Sequence, residues 1–275
     1  MTDDRVWGDN GVFRPRELGP PSRVGGQAWR LGGVADVPDT AFEAGRVGTL
    51  EVRAASTRGA RHRGRGEVRQ DAMGVSELGG RYVLMAVADG ANEASHSHRG
   101  AQLAVRNALA SLTWSLSGAD LDVVDMVGAL RAADRAVREA GPRPECRRTT
   151  LTVAAVELGW TAQGHRYRAV RIGDSPGMVL SDGAFLPLFG KRSGEPDSLP
   201  SPRGPADGVR GVLRPGEALV IASAGLGTPV RESAVGSYLA QAWQEPPGPV
   251  TYLHQLQFDL RAYDDDRTAV VVWAR

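Results

Sequence analysis

Apolar residues run without a break from Tyr82 to Ala88 and stop at Asp89-Gly90. Such a run, bounded by turn residues, is the pattern of a strand buried on both faces. The segments RYVLMAVAD (81–89) and DAMGV (71–75), separated by a Gly-Gly turn, read as neighbouring strands, and GTLEVRAAS (48–56) reads as another before them. Ala101, Ala104, Val105, Ala108, Leu109 and Leu112 then recur at helical spacing within 99–114. A second helix is predicted over 119–140, with Val123, Met126, Val127, Leu130, Ala133 and Val137 on one face. From Thr149 the period returns to that of strands: TTLTVAAVEL, HRYRAVRIG, GMVLSDG and FLPLF follow one another between turn residues. Residues 190–216 are rich in Gly and Pro and read as a surface flap. EALVIASAG (217–225) is a further buried strand, helical stretches follow near 231–244 and 249–261, and RTAVVVWAR closes the chain as a strand.

Blocks of strands alternating with segregated helix pairs predict an α+β fold, two antiparallel sheets packed face to face with helices outside. Residues 1–47 hold GPPSRVGG and little periodicity, so they read as an irregular extension, with Trp7, Trp29 and Leu31 as candidate docking points. The domain proper is then 48–275.

Composition narrows the classes. Apolar residues make up 41% of the 275, enough for a core, and the net charge of +1 favours neither nucleic acid nor membrane. Lys191 is the single lysine, so arginine carries nearly all the positive charge. Cys146 is the single cysteine, which rules out an intrachain disulfide or a cysteine metal cluster and suits a reducing cytoplasm. There is no apolar run long enough for a transmembrane helix and no signal-peptide pattern in MTDDRVWGDNG.

Four aspartates sit at predicted strand ends: Asp71, Asp89, Asp174 in RIGDS, and Asp265 in DDDRTAVVVW. Taken singly, each is an ordinary turn residue. Carboxylates gathered at one end of a sheet need cations between them, and hard divalent ions take such oxygen ligands. The loop 57–69 adds Arg58, Arg61, Arg63, Arg65, Arg69 and His62. It reads as a solvated basic loop or as an anion-binding one. No aromatic residue interleaves with its arginines, which argues against a nucleic-acid patch. His96 and His98, two apart, do not share a helix face and read as neighbours of Ser95 and Ser97 at a helix start.

The ordered set VRQDAMGV, VLMAVADGA, SHRGAQLAV, RIGDSPGMVLSDG, ALVIASAGL and DDDRTAVVVW resembles the successive motifs of the PPM-type (type 2C) metal-dependent serine/threonine protein phosphatases, bacterial branch, over roughly 48–275. The resemblance implies a four-layer α-β-β-α sandwich with a binuclear Mn²⁺ or Mg²⁺ centre at one end, which hydrolyses phosphoserine and phosphothreonine on proteins with a metal-activated water. It implies that Asp89 bridges the metals, Gly90 offers its carbonyl, Asp265 is a ligand and Asp174 helps hold a third metal. Gln70 stands at a glutamate-ligand position and Asp71 near the metal-bound waters. His62 is the candidate general acid, Arg63 and Arg65 candidate phosphate ligands. Phosphorylated protein substrates and a partner kinase are the implied partners.

Two departures stand out. Ala224 occupies the place of an expected aspartate ligand, which predicts a weakened site or a pseudophosphatase that binds rather than cleaves. Gly66 stands where the family carries an arginine, with Arg65 one residue away, and Asn92 and Glu93 replace a usual glycine pair.

Overall fold

The computed structural model describes residues 18, 37–161, 163–190, 197–200, 204–260 and 262–275. Trp7, Trp29, Leu31 and Lys191 lie outside the described residues. Eleven strands and six α-helices follow one another among them. Strands β1 (Thr40–Val47) and β2 (Leu50–Thr57) form a hairpin. Helix α1 (Ala60–Arg65) precedes β3 (Ala72–Leu78) and β4 (Tyr82–Ala88). Helices α2 (Ser97–Ser117) and α3 (Met126–Glu139) come next, then a 3-10 turn at Pro144–Arg147. Strands β5 (Leu151–Thr161), β6 (Gly164–Ile172), β7 (Gly177–Ser181), β8 (Ala184–Pro187), β9 (Asp207–Leu213) and β10 (Ala218–Ala222) continue the chain. Helices α4 (Ala224–Glu232), α5 (Val235–Ala242) and α6 (Pro249–Leu256) lead to the last strand, β11 (Arg267–Ala274).

One sheet has the order β1-β2-β11-β10-β7-β8 and the other β3-β4-β5-β6-β9, every pairing antiparallel. The unbroken apolar run of β4 has a simple cause. Tyr82, Leu84, Ala86 and Ala88 face α2 and α3, while Val83, Met85 and Val87 face the opposite sheet. β11 works the same way: Val270 and Val272 enter the core between the sheets, and Ala269, Val271 and Trp273 pack against α4–α6. Three buried layers therefore separate four structural ones, the predicted α-β-β-α sandwich.

The structure corrects several boundaries. Residues 40–47, assigned to the irregular extension, are strand β1 in full register with β2. It is a half-exposed edge strand with Gly45 inside, so its alternation is weak. The flap at 190–216 contains β9, which pairs with β6 from Asp207 to Leu213. The basic loop 57–69 contains α1, capped by Gly66 at φ 70°. The second helix starts later than predicted, at the Asp125 N-cap, whose carboxylate accepts from Gly128 N at 2.8 Å. Val123 and Val127 consequently face solvent rather than the core. A third helix, α4, joins the predicted pair on the outer face of the larger sheet.

Candidate metal and phosphate site

Antiparallel pairing puts the acidic strand ends in one place. Ala72 pairs with Ala88, so Asp71 at the entry to β3 lies beside Asp89 at the exit from β4. Ala222 pairs with Ala269, so Ser223-Ala224 lies beside the Asp265-Asp266 entry to β11. Gly177 pairs with Ile221, which brings in the loop carrying Asp174. All five strand ends open at the same edge of the sandwich.

Hydrogen bonds tie this edge across both sheets. Thr268 Oγ1 donates to Asp71 Oδ2 at 2.7 Å and lies 2.6 Å from Ser56 Oγ. Ala224 N donates to Asp89 Oδ2 at 2.9 Å. Asp266, 2% exposed, accepts from Gly59 N at 2.7 Å and Gln70 N at 2.5 Å, and its Oδ1 lies 2.8 Å from His62 Nδ1. Asp265 accepts from Arg61 Nη2 at 2.6 Å and Asn92 Nδ2 at 3.3 Å. Gln70 Oε1 accepts from Ser97 Oγ at 2.9 Å, so its side chain is turned to the first residue of α2. Gly90 is required by contact: a Cβ there would lie 2.8 Å from Gln70 O and 2.9 Å from Ser97 Cβ.

The charges crowd one another. Burial pushes the Asp89 carboxyl up to about 8, and Asp265, Asp174 and Asp266 push the same way against the lowering bond from Ala224 N. Burial and the charges of Asp89 and Asp266 hold Asp71 well above the usual carboxylate range. Asp265 goes the other way: burial would raise it, but Arg61 outweighs that and lowers it. Burial alone would lower His62, and Asp266 and Asp265 reverse the sign and raise it. Arg69 is buried nearby, with Nε and Nη1 lacking a hydrogen-bond partner among the described residues. Burial lowers its pKa against the pull of Asp71, Asp266 and Asp39.

The predicted residues thus divide. Asp71, Asp89, Asp174, Asp265, Gly90, Gln70 and His62 come to this edge, although Asp174 is exposed. Arg63 is held by Asp39 at 2.9 Å, and Arg65 is exposed at the end of α1. Arg61 is the guanidinium in contact with the carboxylates instead. His96 Nδ1 lies 3.0 Å from Ser95 Oγ at the start of α2, as predicted, outside the carboxylate cluster. Sequence reasoning did not single out Arg61 from the other loop arginines, gave Asn92 no role at the site, and missed Thr268 and Asp266. The Asp264-Asp265-Asp266 run was the only signal for Asp266, and it does not say which carboxylate turns inward.

As a donor set, the cluster fits a hard divalent cation. Its side chains are carboxylate oxygens in surplus over nearby positive charge, and the raised Asp71 and Asp89 mark where a cation is wanted. Residues 58–257 match the sequence profile of protein phosphatase 2C. The chain belongs to this protein phosphatase 2C family. No curated protein matches it. Its fold is that of the Mycobacterium tuberculosis serine/threonine phosphatase PstP/Ppp, at 22% identity, TM-score 0.56, over 82% of this chain and 99% of that one. The serine/threonine phosphatase of S. agalactiae is similar at 15% identity and TM-score 0.59, over 82% of this chain and all of the other. RsbX, solved in complex with magnesium, is similar at 11% identity and TM-score 0.56, over 84% and 98% of the two chains. In this phosphatase 2C chain the acidic residues stand at the strand ends of the double sheet.

Proposed function

We propose that this phosphatase 2C chain hydrolyses phosphoserine and phosphothreonine on proteins with Mn²⁺ or Mg²⁺ as cofactor. One observation carries the reading: Asp71, Asp89, Asp174 and Asp265, separated along the chain, meet at one sheet edge where Asp89 is raised to about 8. Asp89, Asp265, Asp174 and the Gly90 carbonyl are the groups that would hold the cations, with Asp71 and Gln70 behind them. Divalent ions bound there polarise phosphate oxygens and make water a better nucleophile. The chain's own residues do the rest. Thr268 fixes the Asp71 carboxyl, Asp266 fixes α1 and the entry to β3, and His62, held raised beside Asp266, is placed to carry a proton.

A second reading, a weak or inactive phosphatase that acts as a binding module for a phosphoprotein or partner kinase, is favoured by two features together. Ala224 brings no side-chain oxygen, and Arg61 already neutralises Asp265. Both lower the drive to bind a second cation. We further place the protein in the cytoplasm, on its single cysteine, Cys146, which is free. No described helix is long and apolar enough to cross a membrane.

Hydrolysis of an aryl phosphate with and without Mn²⁺ separates the readings. Turnover that needs Mn²⁺, disappears in Asp89→Asn and rises in Ala224→Asp supports the enzyme. Manganese binding without turnover in either the natural chain or Ala224→Asp supports the binding module.

A further inference from the structure

A groove of about 420 Å³ lies outside the carboxylate edge, lined by His96, Arg99, Gln102, Leu103, Arg106, Ala140 and Arg147. Arg99, Gln102 and Arg106 are exposed on α2 and fall three and four residues apart, so they share one line along the helix. Across the groove, Arg147 is immobilised: its Nε donates to Val137 O at 3.3 Å and its Nη2 to Gly141 O at 3.0 Å. Those carbonyls belong to the last turn of α3 and to Gly141, two residues beyond its end, where a cation is favoured. No aspartate or glutamate lines the groove, and Arg99, Arg106 and Arg147 make no ion pair among the described residues. Three guanidiniums without an ion-paired carboxylate among the described residues therefore line one concavity, in a chain whose net charge is only +1.

The groove begins beside the carboxylate edge. Ser97, the first residue of α2, donates to Gln70 Oε1, and His96 N donates to Cys146 O at 2.8 Å. Gly100 lets the helix sit on the Arg147 backbone, since a Cβ there would fall 2.0 Å from Arg147 O. From Ser97 to Arg106 the helix rises about 14 Å, the reach of roughly four extended residues.

We propose that this groove docks an acidic segment of the phosphoprotein substrate, with carboxylates within about two to six residues of the phosphorylated side chain. The proposal rests on the phosphatase reading for its substrate, but the groove is tested without catalysis. A protein segment is favoured over nucleic acid because no Phe, Tyr or Trp lines the groove for bases to stack on, His96 being the one ring among its lining residues.

The experiment compares the natural chain with an Arg99→Glu/Arg106→Glu double variant. Both sites are exposed on one helix, and matching melting curves establish that the fold is kept. Fluorescence anisotropy measures a labelled, unphosphorylated peptide rich in Asp and Glu against its Asn/Gln counterpart. The natural chain is expected to prefer the acidic peptide by about tenfold, as several half-screened ion pairs allow, and the double variant to lose that preference. Phosphothreonine versions of the two peptides should show the same difference in KM, while turnover of p-nitrophenyl phosphate stays unchanged in the variant. Equal binding of the two peptides by the natural chain, or an unchanged preference in the variant, overturns the proposal. So does tighter, variant-sensitive binding of oligothymidylate than of the acidic peptide. Loss of aryl phosphate turnover in the natural chain would sink the phosphatase reading alone, and the anisotropy would still decide the groove.

Discussion

Replacing Asp89 with Asn should make the metal-free protein more stable, not less. The carboxyl of Asp89 has an ordinary value of 3.8 in the unfolded chain and is pushed up to about 8 in the fold, by burial first and then by Asp265, Asp174 and Asp266. A raised carboxyl favours folding fully only below about pH 4, and that contribution is lost as pH climbs toward 8. At about 1.4 kcal/mol per pH unit, the cost at pH 7 is about 4 kcal/mol. Asp89 is only partly buried, so solvent screening reduces this to on the order of 2 kcal/mol. Asparagine keeps the shape and an oxygen for the Ala224 N–H bond, and it carries no charge. In EDTA at pH 7, Asp89→Asn is expected to melt higher by ~4–8 °C, with a flatter dependence on pH between 5 and 8. Saturating Mn²⁺ reverses the order: at about a hundredfold over Kd it adds roughly 2.7 kcal/mol to the natural chain and little to the variant. Differential scanning fluorimetry in both conditions reads the two orders directly. A variant that melts below the natural chain in EDTA, or follows the same pH slope, refutes the claim that carboxylate crowding strains this edge.

Gly90→Ala would set a methyl 2.8 Å from Gln70 O and 2.9 Å from Ser97 Cβ, so a loss of about 1–3 kcal/mol should show in thermal melts. Ala224→Asp adds a carboxylate beside the raised Asp89; it should lower the metal-free melting temperature and enlarge the Mn²⁺-induced rise, read by the same melts with and without the ion. Arg61→Met keeps the aliphatic stem and frees Asp265, so calorimetry should find Mn²⁺ bound about tenfold more tightly. Trp243→Ala opens the aromatic cluster with Tyr252, Trp273 and Phe185, and urea unfolding should report a loss of about 3–5 kcal/mol.

The layers of the fold were legible because central strands announce themselves. β4, β10 and β11 are covered on both faces, so their sequences are almost wholly apolar. The edge strands were not legible for the converse reason. β1 is half exposed, and β9, DGVRGVL, carries two glycines and partners only β6. α4 escaped notice because Gly225, Gly227 and Pro229 make it a poor helix by propensity. At the site, the four aspartates could be read from their strand-end positions. Among six basic side chains in 57–69, nothing local distinguishes Arg61, whose partner lies at the other end of the chain. The same holds for Asp266, whose role depends on bonds to α1 and to the entry of β3.

Those bonds have a kinetic corollary. Asp266 pins two stretches of backbone, at Gly59 and Gln70, and the His62 ring through its own carboxylate, using contacts that involve neither Asp89 nor Asp71. The scaffold around the acidic edge is therefore braced by bonds that do not depend on what sits there, and an incoming ion would meet a vestibule already built. Exchange of one divalent ion for another is then expected to be limited by shedding of its hydration water, not by rearrangement of the polypeptide.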